Sequence, residues 1–124
     1  MTAEYAIAKP DDTETEPSEI SGTPNVNLAD ILGCTEMRPR VWYLDPGDGM
    51  SYHRQDEQEE FYYVLEGPGR IRLGEEILTV EEGTALCVPP ETPRQVFNDS
   101  DDGRHVWLVV GAPALTDDGR PIAE

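Results

Sequence analysis

The chain has 124 residues, with 26 Asp plus Glu against 9 Lys plus Arg, two cysteines and a formal net charge of −17. That length suits one domain with a single core, and two cysteines exclude a disulfide scaffold. So large a negative charge repels the phosphates of nucleic acids and anionic membranes.

Residues 1–25, including PDDTETEPSEISGTP, are acidic and rich in breakers, and read as a partly flexible N-terminal segment. The opening MTAEYAIAKPDD is acidic where a signal peptide is basic. No window approaches the roughly eighteen apolar residues of a membrane helix. The expectation is therefore a cytoplasmic protein. Asn27 caps a short helix, LADILG, that ends at Gly33.

From Met37 onward come the short runs RVWYL, SYH, EFYYVL, RIRL, EILTV, TALCV, RQVF and HVWLVV, separated by clusters such as DPGDG, EGPG, PPETP and NDSDDG. Eight short strands at this spacing predict an all-β sandwich or barrel over residues 26–115, with 116–124 as a C-terminal tail. EFYYVL and HVWLVV are apolar on both faces, so something must cover the outer surface, either the N-terminal segment or a second copy. A homodimer is the expectation, because two-fold pairs dominate soluble oligomers. Acidic clusters at 57–60, 75–82 and 99–102 continue the charge through the body, a composition resembling that of a halophile's protein.

Two stretches carry the functional information. The first, Gly47 to Gly67, reads GDGMSYHRQDEQEEFYYVLEG; the second, from Gly83, reads GTALCVPPETPRQVFN. Gly47 precedes His53 by five intervening residues, Glu60 precedes Gly67 by six, Gly83 precedes Pro89 by five, and Asn98 closes the series. These stretches resemble the two motifs of the cupin superfamily, G(X)5HXH(X)3-4E(X)6G and G(X)5PXG(X)2H(X)3N. The resemblance spans about residues 37–112. It implies a small single-domain protein built as one antiparallel β-barrel of jelly-roll type, here with an acidic N-terminal tail and a short helix, and a site in the barrel mouth. In metal-binding members the two histidines and the glutamate of the first motif join the histidine of the second around one divalent ion, commonly iron, manganese, nickel or zinc. Carried over, those positions fall on His53, Gln55, Glu60 and Arg94.

Two of the four depart from the pattern. A neutral amide oxygen is a weak ligand and a guanidinium is permanently protonated, so His53, Gln55 and Glu60 remain as candidate metal ligands while Arg94 cannot serve as one. Arg94 is expected to pair with Glu60 in place of the ion, to meet an anionic ligand, or to leave for the rim. Alternation puts His53 and Gln55 on one face, and Tyr62 on the face of Glu60 where it would line the pocket. The remaining candidates read more plainly. His105 is a surface or strand-edge residue and Cys87 a small apolar strand residue. Phe61, Tyr63 and Trp107 are core or dimer-interface aromatics. Glu91 stands where the second motif has glycine and would be strained if its φ were positive.

Three functions stay open. One is binding of a small polar or anionic ligand, without metal, by His53, Gln55, Glu60, Tyr62 and Arg94; the substitutions at ligand positions favour it. A second is a metal-dependent enzyme of dioxygenase or sugar-phosphate-isomerase type. The last is a non-catalytic dimeric interaction or sensor module.

Overall fold

In Arg38–Leu44 the even-numbered Trp42 and Leu44 enter the core between two sheets, and the odd-numbered Val41 and Tyr43 enter a second cluster on the other face. This period of two organises the whole chain. The computed structural model describes residues 4–123. After a 3-10 turn at Pro10–Asp12 come β1 (Glu16–Pro17), β2 (Pro24–Val26), α1 (Leu28–Leu32), β3 (Arg38–Leu44), β4 (His53–Gln55) and β5 (Glu59–Glu66). They are followed by β6 (Gly69–Leu73), β7 (Glu76–Val80), β8 (Ala85–Val88), β9 (Arg94–Phe97), β10 (His105–Ala112) and β11 (Gly119–Pro121).

The strands form a six-stranded sheet, β1-β2-β3-β10-β5-β8, and a five-stranded sheet, β11-β4-β9-β6-β7. Every pairing is antiparallel. This is the expected all-β jelly roll, with one correction: the sheets face one another but are not hydrogen-bonded into a single closed barrel. The chain changes sheets between β5 and β6 at Pro68, which has no N–H with which to continue a ladder.

Trp42, Leu44, Tyr62, Val64, Ile71, Val88, Val96 and Trp107 fill the space between the sheets. Trp107 is fully buried, its ring edge-on to Tyr62 at 5.9 Å between centroids. A Cβ on Gly69 would come within 2.4 Å of the Trp107 ring, so glycine there is what lets β6 approach. The second cluster, Val26, Val41, Tyr43 and Val106, lies on the outer face of β3 and β10, where β2 and Leu28 of α1 cover it.

The N-terminal segment therefore supplies part of the cover that two-sided apolar strands demand. Asn25 pairs with Trp42, and its amide holds the carbonyls of Glu16 and Thr23 at 2.9 and 3.2 Å. The segments read as tails thus contribute β1, most of β2 and β11. Each is two or three residues long and lies among turn residues, so no alternation marks it. The helix forms as read: Asn27 accepts from the Asp30 amide at 3.2 Å, and Gly33 ends it with φ +71°.

Other readings change. His105 is buried, not on the surface, and Cys87 is exposed on β8 instead of packed. Trp107 is core, whereas Phe61, stacked on Tyr63 at 6.5 Å, is 41% exposed. No described non-glycine residue has a positive φ, so the turn at Glu91 is unstrained. Among the described residues no helix is long and apolar enough to cross a membrane.

Candidate functional site

β4, β5 and β9 bring the motif residues together. His53 on β4 is the cross-strand partner of Arg94 on β9, and Glu60 projects from β5 of the opposite sheet, with Glu59 turned outward to solvent. Arg94 has no exposed surface, and each arm of its guanidinium is engaged. Nη1 donates to Glu60 Oε1 at 2.8 Å, Nε to Thr92 O at 2.9 Å, and Nη2 to Pro89 O and Pro90 O. A buried arginine is tolerable only when paired and hydrogen-bonded in this way.

Tyr62 completes the fixing of the carboxylate, its hydroxyl donating to the same Glu60 oxygen at 2.8 Å. Burial, with the neighbouring Glu60 charge, pushes that hydroxyl well above its ordinary pKa. Tyr62 stays a donor as a result. His53 Nδ1 lies 2.9 Å from Ser51 O. A carbonyl only accepts, so Nδ1 carries the hydrogen and Nε2 keeps its lone pair in the neutral ring. That Nε2 is 4.0 Å from Glu60 Oε1.

Above these groups lies a cavity of about 260 Å³. His53, Gln55 and Glu60 line it, joined by Arg38, Arg40 and Trp42 from β3, Gln58, Val109, and the stretches Ser18–Ser21 and Leu115–Pro121 from the two ends of the chain. Arg94 and Tyr62 do not line it; they lie behind Glu60. Of the five candidate ligand-binding residues, three face the cavity and two hold the third of those in place.

Gln58 and Asp118 are additions that the sequence did not reveal. Asp118 Oδ2 accepts from the backbone amides of Glu57 and Gln58 at 2.8 and 2.7 Å, fixing the turn before β5 to the C-terminal strand. Burial alone would raise the Asp118 carboxyl, but those amides, with help from Arg120, hold it below the usual carboxylate range. The Gln58 amide donates to Pro113 O and Leu115 O, both at 3.0 Å, and its Oε1 accepts from Gln55 Nε2 at 3.2 Å. A side chain at Gly111 would fill the space that Gln58 occupies. Arg38 and Arg40 were missed as well, although a signal was present: in RPRVWYL they share the parity of the core residues Trp42 and Leu44.

The donor set does not suit a divalent ion held in the four-ligand manner. Among the described residues no group of three or more His, Cys, Asp or Glu side chains comes together. The fourth position is taken by a guanidinium bonded to the carboxylate that would ligate the ion.

A family model described as a cupin domain matches residues 40–111, more than half of the chain. A 46-residue stretch is 39% identical to the uncharacterized protein MJ1618 of Methanocaldococcus jannaschii, covering 37% of this chain and 37% of that protein. Among solved structures, TT1209 from Thermus thermophilus superposes with a TM-score of 0.66 at 28% identity, over 75% of this chain and 85% of that one. The polyketide cyclase RemF from Streptomyces resistomycificus superposes with a TM-score of 0.78 at 20% identity, over 96% of this chain and 86% of its own, a likeness of fold alone.

Proposed function

The chain belongs to the cupin family, and on that premise we propose that it binds a small polar or anionic ligand in the cavity between its sheets without a metal ion. The observation that carries this reading is the 2.8 Å bond from Arg94 to Glu60. It replaces an ion–carboxylate contact by a permanent internal charge pair, leaving His53, Gln55 and the rest of Glu60 turned toward an open cavity. His53 Nε2 and the Glu60 carboxylate both accept hydrogen bonds, so this part of the cavity suits hydroxyl or amine groups.

The test has two parts. Protein purified in high salt without chelator or affinity tag is expected to contain substantially no transition metal and to take none up on incubation. R94H, which sets an imidazole opposite His53, is expected to gain affinity for Zn²⁺ or Ni²⁺. Near one equivalent of metal per wild-type chain would overturn the reading. In the second part, small hydroxylated solutes should shift the amide resonances of His53, Gln55 and Gly119 together; shifts scattered over the surface would count against a cavity site.

The homodimer belongs to the same proposal. Phe61 and Leu65 are 41% and 45% exposed on the outer face of β5, beside Leu108 and Val110 of β10. A two-fold pair would cover them, and light scattering at working salt measures its mass.

A further inference from the structure

We propose that Arg40, with Arg38, forms an anion-binding wall in this cavity and that Gln55 reads a hydroxyl, so that the ligand is a small hydroxylated acid. The proposal rests on the ligand-binding reading above and adds the chemical class.

Val109 on β10 pairs with Arg40 on one side and Tyr62 on the other, and Gly111 pairs with Arg38 and Glu60. Arg40 thus enters the cavity one layer deeper than Glu60, above the core residue Trp42. Its guanidinium lies 5.4 Å from the Trp42 ring centroid. No carboxylate lies within ion-pairing distance of it among the described residues, whereas Arg38 is paired with Asp30 of α1 at 3.0 Å. Burial, then the adjacent Arg38, push the Arg40 pKa down, against a smaller upward pull from Asp30 and Glu16.

Both acids lining the cavity already have partners: Glu60 has Arg94 and Tyr62, and Asp118 has two backbone amides. In a chain of net charge −17, the unmatched charge in this cavity is therefore positive. An arginine held over an aromatic ring keeps its planar fork available for a carboxylate or phosphate.

Gln55 supplies the second, independent observation. It is 6% exposed, and its Oε1 has no hydrogen-bond partner. The orientation of the amide follows from its neighbours. Pro113 O and Leu115 O can only accept, so Gln58 must turn its NH2 to them; its Oε1 then faces Gln55, which must answer with its own NH2. Gln55 lines the cavity, and its Oε1 is left as an unpartnered acceptor just beneath that wall, shielded from water. A buried orphan acceptor costs roughly 1–3 kcal/mol, which a ligand O–H or N–H removes. At about 260 Å³ the cavity lies at the small end of ligand pockets, which suits a four-carbon hydroxy acid or a small sugar phosphate.

The test is a set of calorimetric titrations at one fixed KCl concentration with threonate, erythritol 4-phosphate, erythritol and butyrate. Wild-type protein is expected to bind at least one of the two hydroxylated anions roughly tenfold or more tighter than both erythritol and butyrate. Which of the two binds tighter decides between carboxylate and phosphate. R40Q should bring the preference for the anion over erythritol close to one, while R40K keeps most of it, and Q55L should remove the advantage over butyrate. An R40Q protein that keeps the preference shows that Arg40 only packs on Trp42 and overturns the proposal, as does erythritol binding as tightly as the anions. That last outcome leaves the ligand-binding reading standing. Absence of binding by all four probes overturns both.

Discussion

Arg94 on β9 and Glu60 on β5 connect the two sheets through one hydrogen-bonded ion pair, Nη1 to Oε1 at 2.8 Å, with the arginine wholly out of solvent. Losing either partner leaves the other charge buried and unmatched, at a cost of about 3–5 kcal/mol, whereas losing both leaves no orphan charge, only neutral groups such as the Tyr62 hydroxyl to find new partners. E60L and R94L should therefore each destabilise the protein strongly in urea denaturation, and the double variant by clearly less than the sum. Strictly additive costs would mean that the two side chains do not depend on each other.

Asp118 gives the site its acid sensitivity. Its folded pKa is depressed by the Glu57 and Gln58 amides, so its contribution is complete above the unfolded value of about 3.9 and is lost as pH falls through the lower folded value. Wild-type stability should therefore drop by more than that of D118N as pH falls below about 4, and not above it. Parallel pH curves for the two proteins would refute the assignment. D118A, at neutral pH, should cost about 1–3 kcal/mol through the two amides left unpaired.

Which parts of this arrangement could be read from the residues follows from how local their causes are. Seven strands, β3 and β5 to β10, were legible because alternation and turn residues are properties of a few neighbours, while the run SYH met the three-residue β4 only at His53; the LADILG helix was legible because Asn27 and Gly33 are its own caps. β1, β2 and β11 escaped because they are two or three residues long and exist only by pairing: β2 with β3, β11 with the far-off β4, and β1 with β2 once that is placed. At the site, the Glu60–Arg94 pair was among the alternatives that motif register allowed. Gln58 was not, since its place depends on the absent side chain of Gly111 and on carbonyls more than fifty residues away. His105 was misplaced because an acidic loop precedes it. The fold nevertheless turns its ring inward, toward the Phe97 backbone.

That burial makes His105 a measurable acid liability. Burial lowers its pKa more than Asp99 raises it, and Nδ1 has no partner. The unfolded chain then binds protons first, so stability is intact above the unfolded pKa of about 6.5 and is lost as pH falls below it. Lower pH also reduces the charge of −17 and its self-repulsion, which acts in the opposite direction. The comparison must therefore be between proteins: from about pH 7.5 to about pH 5.5, wild type should lose stability relative to H105F. An unchanged difference between them across that range would show that the ring protonates equally in both states.

The same self-repulsion predicts a strong response to salt. The screening length falls from about 10 Å at 0.1 M to about 3 Å at 1 M, so repulsion between surface carboxylates should fade while the buried Arg94–Glu60 pair is little affected. The melting temperature should rise by several degrees over that interval of KCl. Salt can also strengthen apolar burial, and a control separates the two causes. Glu75, Glu76, Glu81 and Glu91 are exposed and form no ion pair among the described residues, so replacing all four by Gln makes the chain less negative without breaking one of those pairs. If screening is the cause, the fourfold variant is more stable than wild type at low salt and gains less from KCl. Equal gains in both proteins would assign the effect to apolar burial and remove the physical basis for reading the acidic composition as an adaptation to high salt.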